Sequence, residues 1–179
     1  MLGYYWGISG VLLILLSAIV RLSVRVFEMY SSPLSVLQWL LLVIFALYMA
    51  YAEGYKGFHL NFAPRVISRA QIFLVENNLN NFIYIVFAPL LCMGYIYSTK
   101  KRKVVSFLLT SAIIILVLLV RLLPQPWRGI IDAGVVLGLC LGTTSIVYFW
   151  FKSIQKGWVS PVPADFPDKE IPNKNVEAV

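Results

Sequence analysis

Apolar residues fill five long stretches of the chain, roughly residues 4–24, 33–52, 82–99, 104–123 and 129–151, and polar residues are confined to the breaks between them and to one tail. A helix of about 20 apolar residues crosses the roughly 30 Å hydrocarbon core of a bilayer. Only a backbone that bonds to itself is stable there, so stretches of this length predict transmembrane helices rather than a water-soluble core. The pattern predicts an all-α fold, a polytopic transmembrane bundle of about five spans filling residues 1–158.

The residues between the stretches sharpen the boundaries. Tyr4, Tyr5 and Trp6 open the first span with aromatic rings suited to the headgroup level, and Tyr148, Phe149 and Trp150 close the last. Ser31, Ser32 and Pro33 read as the turn before the second span, with proline placed where an N–H has no partner anyway. From Gly54 to Asn81 the chain is more polar. Within it Pro64 is expected to open an amphipathic helix over residues 64–76, with Val66, Ile67, Ala70, Phe73 and Leu74 on one face and Arg65, Ser68 and Arg69 on the other, lying along the interface. The run Asn77-Asn78-Leu79-Asn80-Asn81 reads as a turn, and Pro89 is expected to kink the span over residues 82–99. Pro124 and Pro126 end the fourth span. Four prolines, Pro161, Pro163, Pro167 and Pro172, among mixed charges predict a disordered tail over residues 159–179.

Charge sets the expected orientation. The 179 residues carry 15 Lys and Arg against 8 Asp and Glu, a formal charge of +7, in a chain that is 60% hydrophobic with a mean hydropathy of +0.81. Basic residues collect on the cytoplasmic side of membrane proteins. Placing Lys100, Lys101, Arg102 and Lys103 there, with Arg21, Arg25, Lys152 and Lys156, puts the N-terminus outside and the tail inside. The same four-residue cluster is also a candidate contact for anionic lipid. No basic patch is interleaved with a groove-reading module, so no nucleic-acid partner is expected. Met1 to Gly10 has no basic n-region, which favours an uncleaved first helix.

Catalytic chemistry is sparse. Cys92 and Cys140 both lie in apolar stretches and behave as small hydrophobes. His59 is the only histidine, and neither a zinc-binding HExxH, a Gly-x-Ser-x-Gly turn nor a phosphate-cradling glycine loop occurs, so no metal, cofactor or catalytic residue is assigned. In the five-span arrangement Glu53, His59, Arg65, Arg69, Arg121, Arg128 and Asp132 fall near one outer boundary, where ionisable groups mark a polar cavity or a substrate entry. Glu53 is expected to pair with Arg121 or Arg128, and Asp132 with Arg128 one turn before it. No span is expected to carry an ionisable residue near its centre. Tyr48, Tyr51 and Tyr55 read as an interfacial belt. Gly134, Gly138 and Gly142 recur every four residues on the last span, a stripe that lets another helix of this chain, or of a second copy, approach closely.

Two resemblances bear on identity. The stretch Tyr51-Ala-Glu-Gly-Tyr-Lys-Gly-Phe58, with Pro64-Arg65, Arg69-Ala70, Ala88-Pro89-Leu90, Leu123-Pro-Gln-Pro-Trp-Arg-Gly129, Asp132 and Gly134, resembles a family of small bacterial inner-membrane proteins of uncharacterised activity. That resemblance implies a multi-pass protein of the bacterial plasma membrane. More locally, Arg69-Ala70-Gln71 with Glu76 resembles the signature of the membrane-associated eicosanoid and glutathione metabolism superfamily, although Phe73 stands where that signature has asparagine. It implies a thiol-peptide pocket lined by Arg69 and Glu76, on the cytoplasmic side of a four-span, typically trimeric enzyme.

Weighed together, these features point to a non-enzymatic accessory, assembly or structural subunit whose partners are membrane lipid and other transmembrane helices. A small transporter or channel-forming oligomer is the first alternative, and a glutathione-transferase-like membrane enzyme the second.

Overall fold

The computed structural model describes residues 1–31, 33–75, 82–155 and 158–166, and among them every regular element is helical. Four helical runs are long and apolar enough to cross a membrane: Leu2–Met29, Val36–Val75, Lys100–Arg121 and Trp127–Ser153. The chain is thus an all-α membrane bundle. In order, α1 is Leu2–Met29, α2 is Val36–Met49, a π-helical segment covers Ala50–Phe62, and α3 and α4 are Ala63–Ala70 and Ile72–Val75; α5 and α6 are Phe82–Val86 and Ala88–Met93, α7 is Lys100–Arg121 and α8 is Trp127–Ser153.

Helix α8 is the axis of the bundle, touched by α1, α2, the π segment and α3. Its contact with α1 is antiparallel, because Tyr4 Oη lies 3.1 Å from Ser153 Oγ at one end, while a methyl group at Gly129 would meet Met29 at 2.5 Å at the other. Along the second run the order is parallel. Gly134 faces Phe45 and Met49, Gly138 faces Glu53, and Gly142 faces Phe58. Lipid gives no hydrophobic drive between helices, so this close fit of side chains into missing ones holds the run against α8 by dispersion.

The stretch 82–99 is not one continuous helix. After α5 the helix breaks at Phe87, restarts with Pro89 in the first turn of α6, and stops at Gly94, whose φ of 88° is the left-handed cap that frees the chain to turn. Hydropathy registers neither event. Pro89 therefore begins a helix here instead of kinking one. The segment enters beside α1, with Trp6 Nε1 donating to the Val86 carbonyl at 3.4 Å, Cys92 against Gly7 and Pro89 against Gly10, and then turns back. Broken helix of this kind is stable at membrane depth when protein covers it, and Ala88, Leu91 and Cys92 are all buried.

Three further expectations change with it. The second run does not end near Ala52: Ala50–Phe62 continues it with wider winding, and the Ala63 N–H bonds back five residues to the Phe58 carbonyl. The described part of the expected 64–76 interfacial helix is the end of this run, and it packs inside the bundle, with Val66, Ile67, Ser68, Arg69 and Ala70 all buried. Glu76, the Asn77–Asn81 turn, Lys156 and residues 167–179 lie outside the described residues. The contact of Tyr4 with Ser153 places the start of α1 and the end of α8 at the same end of the bundle. Beyond α8, residues 158–166 fold back across that end rather than trailing free; Ser160 Oγ donates to the Pro64 carbonyl at 3.3 Å.

Helix α7 stands apart. Thr99 caps its start, accepting from the Arg102 N–H at 3.3 Å. Its first turns rest on the residues around Gly94, through Ser106, Thr110 and the edge of Phe107 against Tyr95, and Val120 is buried near its other end. From Ser111 to Leu119 every residue is exposed.

Candidate functional site

The ionisable residues expected at one boundary separate into three levels along α8. At its first turn, Arg128 Nε lies 3.8 Å from Asp132 Oδ2, the expected i,i+4 ion pair, although too long for a direct hydrogen bond. Arg121, the last residue of α7, is exposed. Arg65 and Arg69 lie at the opposite end of the bundle, because the run that carries them continues instead of turning back at Gly54.

Glu53 lies between these levels. It pairs with neither Arg121 nor Arg128; its side chain sits over Gly138, ten residues along α8 from Arg128 or about 15 Å of helix rise. A β-carbon at Gly138 would come 3.1 Å from Glu53 Oε2, so the missing side chain makes the space the carboxyl occupies. Oε2 is buried and meets no donor among the described residues. Contrary to the sequence expectation, a carboxyl thus lies near the middle of the bundle. About two turns further along α8, His59 Nδ1 lies 3.1 Å from Ser145 Oγ, and its imidazole is flanked by the rings of Tyr55, Tyr148 and Phe149. Tyr51 stacks on Tyr55 and takes Lys56 over its face, so these tyrosines form one ladder on the π segment.

The most fully built constellation surrounds Arg69. Its side chain is 0% exposed and has no ion pair among the described residues. Nε donates to the Leu91 carbonyl at 2.6 Å, Nη1 to Ala164 at 2.6 Å, and Nη2 to Ile96 and Tyr97, each at 2.8 Å. The Phe166 ring covers the guanidinium at 4.8 Å. Charge-assisted bonds to carbonyls are strong. They join α3, the returning segment after α6 and the last described residues into one unit. Such a guanidinium is a staple with four of its five donors engaged, which leaves little to hold a thiol-peptide carboxylate.

Around the staple lie two more guanidinium groups and one carboxylate. Arg65 Nε is 3.5 Å from Asp165 Oδ2, and Asp165 accepts the Thr99 N–H at 3.0 Å through its carbonyl. Arg102 is an electrostatic neighbour of both Arg65 and Asp165, with its chain lying over Gly94 and its buried Nε without a hydrogen-bond partner among the described residues. Sequence reasoning missed this grouping. Arg102 was visible only as part of a basic cluster, Asp165 only as part of the tail, and the acceptors on Arg69 are backbone carbonyls, which side-chain patterns do not display. Of the lipid and topology residues, Lys100, Lys101 and Lys103 are exposed beside it.

Gly134, Gly138 and Gly142 are all consumed within the chain by the second run. Among the described residues no three of His, Cys, Asp and Glu converge as a metal site would require. No protein-family model, curated protein or solved structure matches the chain.

Proposed function

We propose that this protein is a non-enzymatic subunit of a larger assembly in the bacterial plasma membrane, and that it meets partner helices along α7. The observation that carries this is the uninterrupted exposure of Ser111 to Leu119 on a helix anchored only near its ends. Elsewhere the bundle fits side chains into glycine positions; here Ile113, Ile114, Ile115, Leu116 and Val117 offer stiff and branched surface with no described residue of this chain covering it. Arg65, Arg69, Lys100 to Lys103 and Lys152 share one end of the bundle, which favours a cytoplasmic position for that end and for both chain ends.

A photo-crosslinking residue at Ile115, compared with one at the equally exposed Leu47 of α2, tests the proposal in whole membranes. A discrete adduct with one other membrane protein at Ile115 and none at Leu47 is the expected result. Adducts with lipid alone at both positions would end it.

Glu53 favours a second role, transport of a proton or small cation, because an ionisable side chain within a membrane bundle marks an ion path more often than a packing need. A flux assay in vesicles with Glu53→Gln addresses it; flux equal to that of the parent would remove this alternative.

A further inference from the structure

We propose that Arg65 and Arg102 form a binding site for phosphate, filled by the headgroup phosphate of an anionic phospholipid. Among the described residues the grouping is electrically incomplete: three guanidinium groups, those of Arg65, Arg69 and Arg102, share one carboxylate, Asp165. The carbonyls on Arg69 satisfy its donors but carry no net charge to balance it. Asp165 engages Arg65 at 3.5 Å, while the Arg102 guanidinium makes no hydrogen bond or ion pair among the described residues, and its Nε is removed from solvent. An unpaired donor held out of water is costly, and a phosphate oxygen is the acceptor best matched to a guanidinium fork.

Position selects the source. The site lies at the end of the bundle where α7 begins, beside Lys100, Lys101 and Lys103, and these exposed lysines concentrate anions without orienting them. A headgroup phosphate is delivered to that depth by the bilayer itself. Free phosphate has the same oxygens and no such delivery.

The test uses the full chain, extracted in mild detergent and offered equal amounts of phosphatidylglycerol and phosphatidylcholine, with retained lipid read by native mass spectrometry. Phosphatidylglycerol should be retained about tenfold over phosphatidylcholine, the ratio expected for a charge-assisted contact. Arg102→Gln should bring the ratio close to one, whereas Lys101→Gln should keep most of it. Asp165→Asn should raise retention, since it removes the competing carboxylate, and asparagine tolerates the positive φ of 55° at that residue. Equal loss in Arg102→Gln and Lys101→Gln would show diffuse attraction and overturn the site, as would unchanged retention in Arg102→Gln. If Arg102→Gln does not fold, Asp165→Asn decides: retention unchanged or lowered overturns the proposal. Displacement of phosphatidylglycerol by excess inorganic phosphate, but not by chloride at equal ionic strength, keeps the phosphate chemistry and assigns the free ion as its source.

Discussion

Arg69 Nε and the Leu91 carbonyl are 2.6 Å apart across a gap of 22 residues, and this bond ties the buried end of the second helical run to the segment that turns back after α6. Three more carbonyls complete the grip, and two of them belong to the turn after Gly94.

Replacing Arg69 by methionine strands one buried and three part-buried carbonyls, so the bundle should lose on the order of 3–5 kcal/mol of stability. Arg69→Lys should recover only part of this, because one ammonium cannot reproduce the planar fork. Thermal unfolding in detergent measures the loss. Limited proteolysis localises it, with cleavage expected between Gly94 and Thr99 and between Trp158 and Phe166; an unchanged melting temperature in Arg69→Met would refute the staple.

The glycines of α8 make a graded test of packing. A methyl group at Gly142 would lie 2.5 Å from the Phe58 ring, whereas one at Gly57 would meet nothing closer than the Ala52 carbonyl at 3.5 Å. Gly142→Ala should therefore cost about 1–3 kcal/mol through overpacking. Gly57→Ala should be close to neutral or slightly stabilising, and equal melting temperatures for the two variants would count against the parallel packing of the second run on α8.

Much of the fold was legible from apolar length alone, because α1, α7 and α8 are uninterrupted hydrophobic helices. The second run extends beyond its expected end near Ala52, a position suggested by the polar-loop composition of Glu53, Gly54, Lys56 and Gly57. What keeps them helical is a distant surface, the glycine face of α8, which accepts Glu53 and Phe58 as ordinary packing residues. The opposite error occurred at residues 82–99. Their hydropathy resembles that of a span, but the backbone choices at Pro89 and Gly94 decide the path. The Arg69 constellation was the least legible, since it joins residues up to 95 positions apart in the chain through main-chain atoms, Arg69 and Ala164 being the most distant pair.

Cysteine accessibility tests the arrangement of the ends. Cysteines at Leu2, Lys101 and Val159 should all be labelled by an impermeant maleimide from one side of the membrane, and one at Leu122 from the other; all four positions are exposed. Labelling of Leu2→Cys and Val159→Cys from opposite sides would restore an odd number of crossings.

Cys92 is buried, with its Sγ packed against Gly7 of α1. At pH 8 Cys92 should resist iodoacetamide until the protein is denatured, which peptide mapping can follow. Rapid alkylation of the native protein would show that the returning segment opens.

The closure of residues 158–166 over Arg69 imposes an order on biogenesis. When Arg69 leaves the ribosome, the carbonyls of Leu91, Ile96 and Tyr97 have yet to be synthesised, and that of Ala164 follows only after the last long helix. Throughout that interval the nascent chain carries an uncompensated guanidinium that must wait in water or against the insertion machinery. Maturation is therefore a late event that awaits the residues after α8, and a translational arrest before Ala164 leaves the second helix unfinished however well it has been inserted.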